Sequence, residues 1–88
     1  MLFFHTSKVE IILRQEVEFY EPDSKSEAEL FFQQGLRHRE AFEYEAAIAN
    51  FDKALALQSD LYEACFNRGC SMFFLHRYEE AIASLTKL

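Results

Sequence analysis

The stretch YEAAIANFDKA at residues 44–54 returns 34 residues later as YEEAIASLTKL at residues 78–88. Extended outward, the same shift aligns residues 28–54 with residues 62–88, and nine of those 27 pairs are identical. A fixed period of this length is typical of chains that stack copies of one supersecondary unit. Residues 25–88 are therefore predicted to hold two repeats, at about 28–61 and 62–88, the second of them incomplete.

The identical pairs include small residues at a constant phase, Gly35 with Gly69 and Ala47 with Ala81. Glycine inside a helix costs about 1 kcal/mol relative to alanine, so its recurrence at one phase indicates that the backbone needs close approach there. The two alanines are expected to supply the matching small side of the following helix. Each repeat is thus predicted to be an antiparallel pair of helices.

Apolar residues spaced by three and four predict four helices, at about residues 26–40, 44–57, 61–75 and 79–88. Ser26 and Glu29 fit a capping box at the start of the first helix. The predicted fold class is all-α, with helix-turn-helix repeats that follow a non-repeat N-terminal segment.

The N-terminal segment, residues 1–24, has a different pattern. Apolar and charged residues alternate along residues 9–19, which favours an extended segment. A weak helical stripe remains open as the alternative, formed by Val9, Ile12, Leu13 and Tyr20. Pro22, with Asp23 and Ser24, separates the segment from the repeats.

Composition and charge narrow the class of partner. The chain has 88 residues and a formal net charge of -6, from 15 acidic and 9 basic side chains, so no field attracts phosphate backbones or anionic lipid. No run of about 18 uncharged apolar residues occurs, which argues against a membrane span. Because residues 1–10 lack the pattern of a secretory signal, the expected location is the cytoplasm.

Residues capable of catalysis are few. The three histidines, two cysteines and scattered carboxylates form no recognised catalytic or metal-binding pattern, and two glycines cannot build a phosphate loop. Cys65 and Cys70 lie five residues apart in one predicted helix, so they point to different sides and are expected to be buried thiols. We therefore expect no enzyme activity, no metal and no cofactor.

The repeats resemble the tetratricopeptide repeat family. The signature spacing is held in the first copy by Gly35, Tyr44, Ala47, Phe51 and Ala54, and in the second by Gly69, Tyr78, Ala81 and Leu85. Departures are Phe31 and Cys65 in place of tryptophan, Ser59 in place of proline, and Phe42 and His76 in place of the turn glycine. The resemblance implies a short right-handed solenoid fragment.

The resemblance also implies a binding surface, because the first helix of each hairpin in this family lines a concave groove. The matching partner-binding positions here are Phe32, Leu36, Arg39, Phe66, Asn67, Cys70 and Phe73. Since most of them are apolar, we expect an extended apolar peptide or an amphipathic helix as the partner. Relatives that grip the carboxylate tail of a chaperone use lysine and asparagine where this chain has Phe32 and Leu36, which argues against that activity.

A structural role is the alternative. Two hairpins leave apolar end faces, because solenoid repeats are stabilised mainly by their neighbours. The N-terminal segment, a second copy of the chain or further repeats could cover those faces. The alternative function is therefore a self-associating fragment, either a homodimer or part of a longer array.

Overall fold

A computed structural model describes residues 24–88, which form four α-helices joined by short turns. The helices are α1 (Ser24–Glu40), α2 (Tyr44–Leu57), α3 (Tyr62–Phe74) and α4 (Tyr78–Leu85). These residues contain no strand, so the all-α prediction is confirmed for this part of the chain. Both predictions for residues 9–19 fall outside the described residues.

Helix α2 has the predicted bounds. Helix α1 begins two residues earlier than predicted, α3 is one residue shorter at each end, and α4 begins one residue earlier and ends three residues earlier. Because α1 begins at Ser24, Ser26 lies inside the helix and the predicted capping box at Ser26 is wrong. Glu27 instead places a negative charge in the first turn, where the helix dipole favours it. Helix α4 ends at Leu85, and Leu88 N donates to the Leu85 carbonyl oxygen at 3.3 Å, a tightened final turn.

The turns of the two hairpins have the same backbone geometry, 34 residues apart. Phe42 has φ 63° and His76 has φ 62°, which places both in the left-handed region. In the first turn the Glu43 N–H donates to the His38 carbonyl oxygen at 2.8 Å, and the second turn repeats this bond from Arg77. This pattern satisfies helix-terminal carbonyls and usually has glycine at its left-handed position. Phe42 and His76 therefore occupy the two positions where the sequence lacks the expected turn glycine.

The four helices pack in chain order, α1 on α2, α2 on α3 and α3 on α4, and α1 also touches α3. One core cluster joins the first three helices and consists of Phe32, Ala47, Phe51, Ala54 and Ala64. A second cluster joins the last three helices and consists of Ile48, Met72 and Ala81, with Leu75 packed against it. The described residues thus form a helical repeat-like arrangement in which α2 and α3 each lie between two neighbours.

The glycines make room for large side chains. A Cβ added at Gly35 would lie 2.5 Å from Cε1 of Phe51, and one added at Gly69 would lie 2.7 Å from Cγ of Leu85. At Gly35 the three nearest atoms all belong to the Phe51 ring, so this ring comes closer to the glycine than the expected partner Ala47. At Gly69 the backbones of α3 and α4 do come close together, because the Ala81 carbonyl oxygen would lie 3.3 Å from the added Cβ.

Polar contacts also tie neighbouring helices together. The Ser84 hydroxyl, which is buried, donates to the Cys65 carbonyl oxygen at 2.8 Å and links α4 to α3. Nε of Arg68 lies 2.8 Å from Oδ1 of Asp52, which links α3 to α2. This buried Nε makes no aligned hydrogen bond, so the contact is an ion pair and not a directed bond.

Candidate functional site

The predicted partner-binding residues lie on α1 and α3, on what we call the α1–α3 face. The face consists of Leu36, Arg39, Phe66, Asn67, Cys70 and Phe73. Phe66 is 49% exposed and Phe73 is 57% exposed, whereas Leu36, Arg39 and Cys70 are half-buried. Two phenylalanines of α3 therefore supply most of the open apolar surface on this face.

Phe32 lies apart from that face. Its side chain is 4% exposed, and its ring centroid lies 5.9 Å from that of Phe51. Phe32 is buried because the start of α3, with Ala64, packs into the same cluster. No helix of the described chain covers Phe66, its counterpart 34 residues later. The expectation that Phe32 lines an open groove is corrected, since its side chain belongs to the core.

Arg39 and Asn67 meet across the α1–α3 face. Nη1 of Arg39 donates to Oδ1 of Asn67 at 2.6 Å, and Nδ2 of Asn67 donates to the Glu63 carbonyl oxygen at 2.8 Å. Asn67 is 9% exposed and both ends of its amide are hydrogen-bonded. A hydrogen bond to a charged donor contributes roughly 1.5–3 kcal/mol, so this contact fixes α1 against α3. Asn67 thus positions the face and offers little of its own surface.

The cysteines differ in accessibility. Both thiols are free, with Cys65 buried and Cys70 half-buried. Burial is confirmed for Cys65, but Cys70 keeps part of its surface and lies on the α1–α3 face. Five residues rotate a helix by about 140°, which explains why the two side chains point in different directions.

A run of aromatic contacts beside the turns was missed in the sequence. We call it the aromatic ladder, and it consists of Phe42, Tyr44, Phe74, Phe73 and Tyr78. The ring centroids of Tyr44 and Phe74 lie 5.0 Å apart with an interplanar angle of 14°, so these two rings stack across the hairpins. Phe73 joins Phe74 to Tyr78 through edge contacts of 6.3 Å and 5.3 Å. The signal available in the sequence was the aromatic residues near both turns, Phe42 and Tyr44 at the first and Phe73, Phe74 and Tyr78 at the second.

A cleft opens where the ladder meets α1. It has a volume of about 250 Å³ and is lined by Leu36, Arg39, Glu40, Phe42, Tyr44 and Phe74. Phe42 is 77% exposed and stands edge-on to Tyr44, with centroids 6.4 Å apart and planes at 64°. The cleft is therefore bordered by aromatic rings, by one acidic residue, Glu40, and by one basic residue, Arg39.

The charged groups near the second turn pair with one another. Arg77 donates a hydrogen bond to Glu80, which lowers the pKa of the Glu80 carboxyl and raises the pKa of the Arg77 guanidinium. Both side chains are exposed at the surface. At the first turn, Nδ1 of His38 lies 3.0 Å from Oε1 of Glu43. These pairs are surface contacts outside the α1–α3 face.

Within residues 24–88, the histidine, cysteine and carboxylate side chains form no group of three or more that could hold a metal ion. None of the four described helices combines the length and the apolar character needed to cross a lipid bilayer.

Comparisons of the chain with protein-family models, with characterised proteins and with solved structures found no match. The geometry of the α1–α3 face and of the adjoining cleft is therefore the basis for inferring a function.

Proposed function

We propose that this chain is a non-catalytic interaction module that binds a peptide or an amphipathic helix along the α1–α3 face. The observation that carries the proposal is the exposure of two phenylalanines, Phe66 at 49% and Phe73 at 57%, on one side of a helix whose other side is packed. Exposed apolar surface grouped on one face is typical of protein interaction sites.

The spacing of the exposed residues suits a helical or extended ligand. Phe66, Cys70 and Phe73 recur at four and three residues, so they form one stripe along about 10 Å of α3. An amphipathic helix that presents its own apolar residues at the same intervals can lay them against this stripe. Aromatic anchors held on a rigid helix contribute more to binding than the same side chains on a loop, because less motion is lost.

The hydrogen bond between Arg39 and Asn67 supports the proposal in a second way. It joins α1 to α3 at 2.6 Å, and Asn67 lies between the two phenylalanines in the sequence of α3. A face whose two helices are locked together loses little conformational freedom when a ligand arrives. Asn67 acts as a positioning residue in this proposal, and the apolar side chains make the contact.

The proposal includes the family and the partner class. The 34-residue period, the buried glycines and the paired left-handed turns favour membership of the tetratricopeptide repeat family. The partner is a protein or peptide and not nucleic acid, given a net charge of -6. The proposed location is the cytoplasm, and fractionation of cells that express the tagged chain tests it.

Binding can be tested with a fluorescent synthetic helix that has leucines at i, i+4 and i+7 and glutamine on its polar face. Fluorescence anisotropy should show saturable binding to the full chain. The double variant Phe66→Ala, Phe73→Ala should weaken binding at least about tenfold, because each phenylalanine side chain contributes roughly 1.5–3 kcal/mol when it is buried.

Ile82→Ala is the matched control, since Ile82 is 61% exposed and lies on α4, outside the residues that define the face. Its affinity for the peptide should equal that of the natural chain, with circular dichroism confirming that all variants remain helical. Equal binding by the double variant and the natural chain would refute the proposal, as would failure of the natural chain to bind.

A second candidate function is self-association through α4. Ile82 is 61% exposed, whereas Ile48, its counterpart in the first hairpin, is 5% exposed beneath Met72 and Leu75. An apolar position that is covered in one repeat and open in the next favours a further contact there. Sedimentation equilibrium decides between the candidates, because a monomer that still binds the peptide excludes self-association.

A further inference from the structure

We propose that the cleft beside the first turn receives one basic side chain, lysine or arginine, of the bound peptide. The inference rests on the proposed function and adds the chemistry of a subsite to it. The lining residues are Leu36, Arg39, Glu40, Phe42, Tyr44 and Phe74. Leu36 and Arg39 belong to the α1–α3 face as well, so the cleft continues the surface on which the peptide lies.

The size of the cleft suits a single side chain. Its volume is about 250 Å³, below the range of roughly 300–1,000 Å³ that is typical of small-molecule sites. A long unbranched side chain that enters from a peptide fits such a space, whereas a complete cofactor does not.

The walls of the cleft favour a cation. Phe42, Tyr44 and Phe74 are in mutual contact through Tyr44, and the stacked pair Tyr44–Phe74 is too close for a group to enter between the rings. A ligand therefore meets the corner formed by Phe42 and the stacked pair. Aromatic faces attract lysine and arginine within about 6 Å of the ring centroid, and the alkyl part of either side chain packs on the same rings.

Two charged residues line the cleft, Glu40 and Arg39, and they differ in whether they already have a partner. Glu40 is exposed, and no cationic side chain within residues 24–88 pairs with it. The neighbouring cation, Arg39, donates a hydrogen bond from Nη1 to Asn67 and forms no ion pair with Glu40. Glu43, the next carboxylate along the chain, already contacts His38. Glu40 is thus the carboxylate available to a ligand that enters the cleft.

The backbone at Phe42 gives an independent argument. A bulky residue with φ 63° is a conformational outlier, and glycine would take the same geometry without steric cost. Core packing does not explain the phenylalanine, because its side chain is 77% exposed. A strained residue whose ring faces solvent beside a cleft is consistent with a role in binding.

The experiment uses the synthetic helix described above in a neutral form and in forms with one lysine at successive positions beyond its last leucine. The best lysine peptide should bind the natural chain about fivefold more tightly than the neutral peptide, with the advantage reduced by added salt. An arginine version of that peptide should keep the advantage, and a glutamate version should lose it.

Two variants and two matched controls locate the effect. Glu40→Gln and Phe42→Gly should each remove most of the lysine advantage while retaining binding of the neutral peptide. Glu79→Gln removes an exposed carboxylate outside the cleft, and His76→Gly makes the equivalent change at the other left-handed position. Both controls should keep the full advantage.

The outcomes separate the inference from the proposed function. If lysine and neutral peptides bind equally well and both depend on Phe66 and Phe73, the basic subsite is wrong and the interaction face stands. A lysine advantage that survives both Glu40→Gln and Phe42→Gly also overturns the subsite, because the cation would then lie elsewhere. If no peptide binds the natural chain, the proposed function fails and the subsite with it.

Discussion

The two hairpins share a sequence pattern but differ in what covers their second helix. Helix α2 lies between α1 and α3, whereas α4 packs on α3 and has no described helix on its other side. Ile48 is consequently 5% exposed and Ile82 61% exposed, although both hold the same place in the repeat. The position of a residue in the repeat therefore determines which side of its helix the residue lies on. Whether the residue is buried depends on the neighbouring helix.

The same contrast holds between the first helices of the two hairpins. Phe32 is 4% exposed in α1, and its counterpart Phe66 is 49% exposed in α3. Phe32 is covered by the hairpin that follows it, and Phe66 has no following hairpin within the described residues. The side chain that forms core in one repeat is therefore available for binding in the next.

The largest expected difference between the hairpins is the loss of stability when the side chain packed against the glycine is truncated. That side chain is Phe51 in the first hairpin and Leu85 in the second. Phe51→Ala should cost about 3–5 kcal/mol, because Phe51 is fully buried and its loss leaves a cavity. That is comparable to the whole stability of a small domain. Leu85→Ala should cost about 1 kcal/mol, since Leu85 is half-buried. Urea titrations followed by circular dichroism measure both, and equal losses would contradict the comparison.

Substitution of the glycines should give the next largest difference. Gly35→Ala forces a methyl group against the buried Phe51 ring, with a net cost of about 1–3 kcal/mol in the free energy of unfolding. Gly69→Ala meets the half-buried Leu85 side chain, which has room to shift, and the Ala81 carbonyl oxygen, which has little, so we expect a smaller cost of about 1 kcal/mol. Thermal denaturation of the two variants provides the measurement. A larger loss of stability for Gly69→Ala than for Gly35→Ala would show that the helices of the second hairpin are the more closely packed.

Removal of one methyl group from Ile48 or Ile82 tests how buried each side chain is, and it disturbs the packing less than the substitutions above. Ile48→Val should destabilise the chain by about 0.5–1.5 kcal/mol, and Ile82→Val should change its stability by less than about 0.5 kcal/mol. Chemical denaturation at several chain concentrations checks both values. A concentration-dependent loss at Ile82 would instead indicate that α4 is covered by a second copy.

The left-handed turn residues are a feature that the hairpins share, so here we expect similar effects. Phe42→Gly and His76→Gly should each stabilise the chain by about 0.5 kcal/mol, because the cost of a side chain at positive φ exceeds the entropy cost of glycine. Midpoints of thermal unfolding measure the effect. Destabilisation at either turn would mean that the side chain contributes more to the fold than its exposure indicates.

The smallest effect should come from the pair Arg77–Glu80, which the first hairpin lacks because Glu43 and Ala46 hold its positions. The hydrogen bond lowers the pKa of Glu80 below its usual value of 4.5. Its stabilising contribution is therefore complete above pH 4.5 and is lost as the pH falls through the lowered pKa. Unfolding measured between pH 7 and pH 3 should show a slight acid-dependent loss that Glu80→Gln reduces. An identical pH profile for the variant would show that the Arg77–Glu80 pair does not contribute to the acid-dependent loss of stability.

The predictable part of the fold came from periodicity. The 34-residue shift and the three-and-four spacing predicted four helices, and the bounds of α2 agree with the structure. The side chain that packs against Gly35 was less predictable. The sequence does not distinguish a glycine that packs against an alanine from one that makes room for a phenylalanine ring. The start of α1 was missed since a capping pattern at Ser26 also occurs inside a helix.

The sequence predicted which positions of the repeat hold the candidate site residues, but not which of their side chains are exposed. Phase along the repeat placed Phe66 and Phe73 on the α1–α3 face, but it placed Phe32 there as well. The hydrogen bond between Arg39 and Asn67 joins residues that are 28 apart in sequence, and no local pattern indicates it. The aromatic ladder and its cleft likewise depend on how the two turns lie against each other.

The sequence by itself determined the number and order of the described helices, because helix formation follows local spacing of apolar residues and turns that recur at a fixed period. The tertiary structure alone decided which repeated side chains are buried and which are open. Burial depends on the helix that lies opposite, and residues distant along the chain supply that helix. Two equivalent phenylalanines, Phe32 and Phe66, therefore differ in burial although they share one place in the repeat.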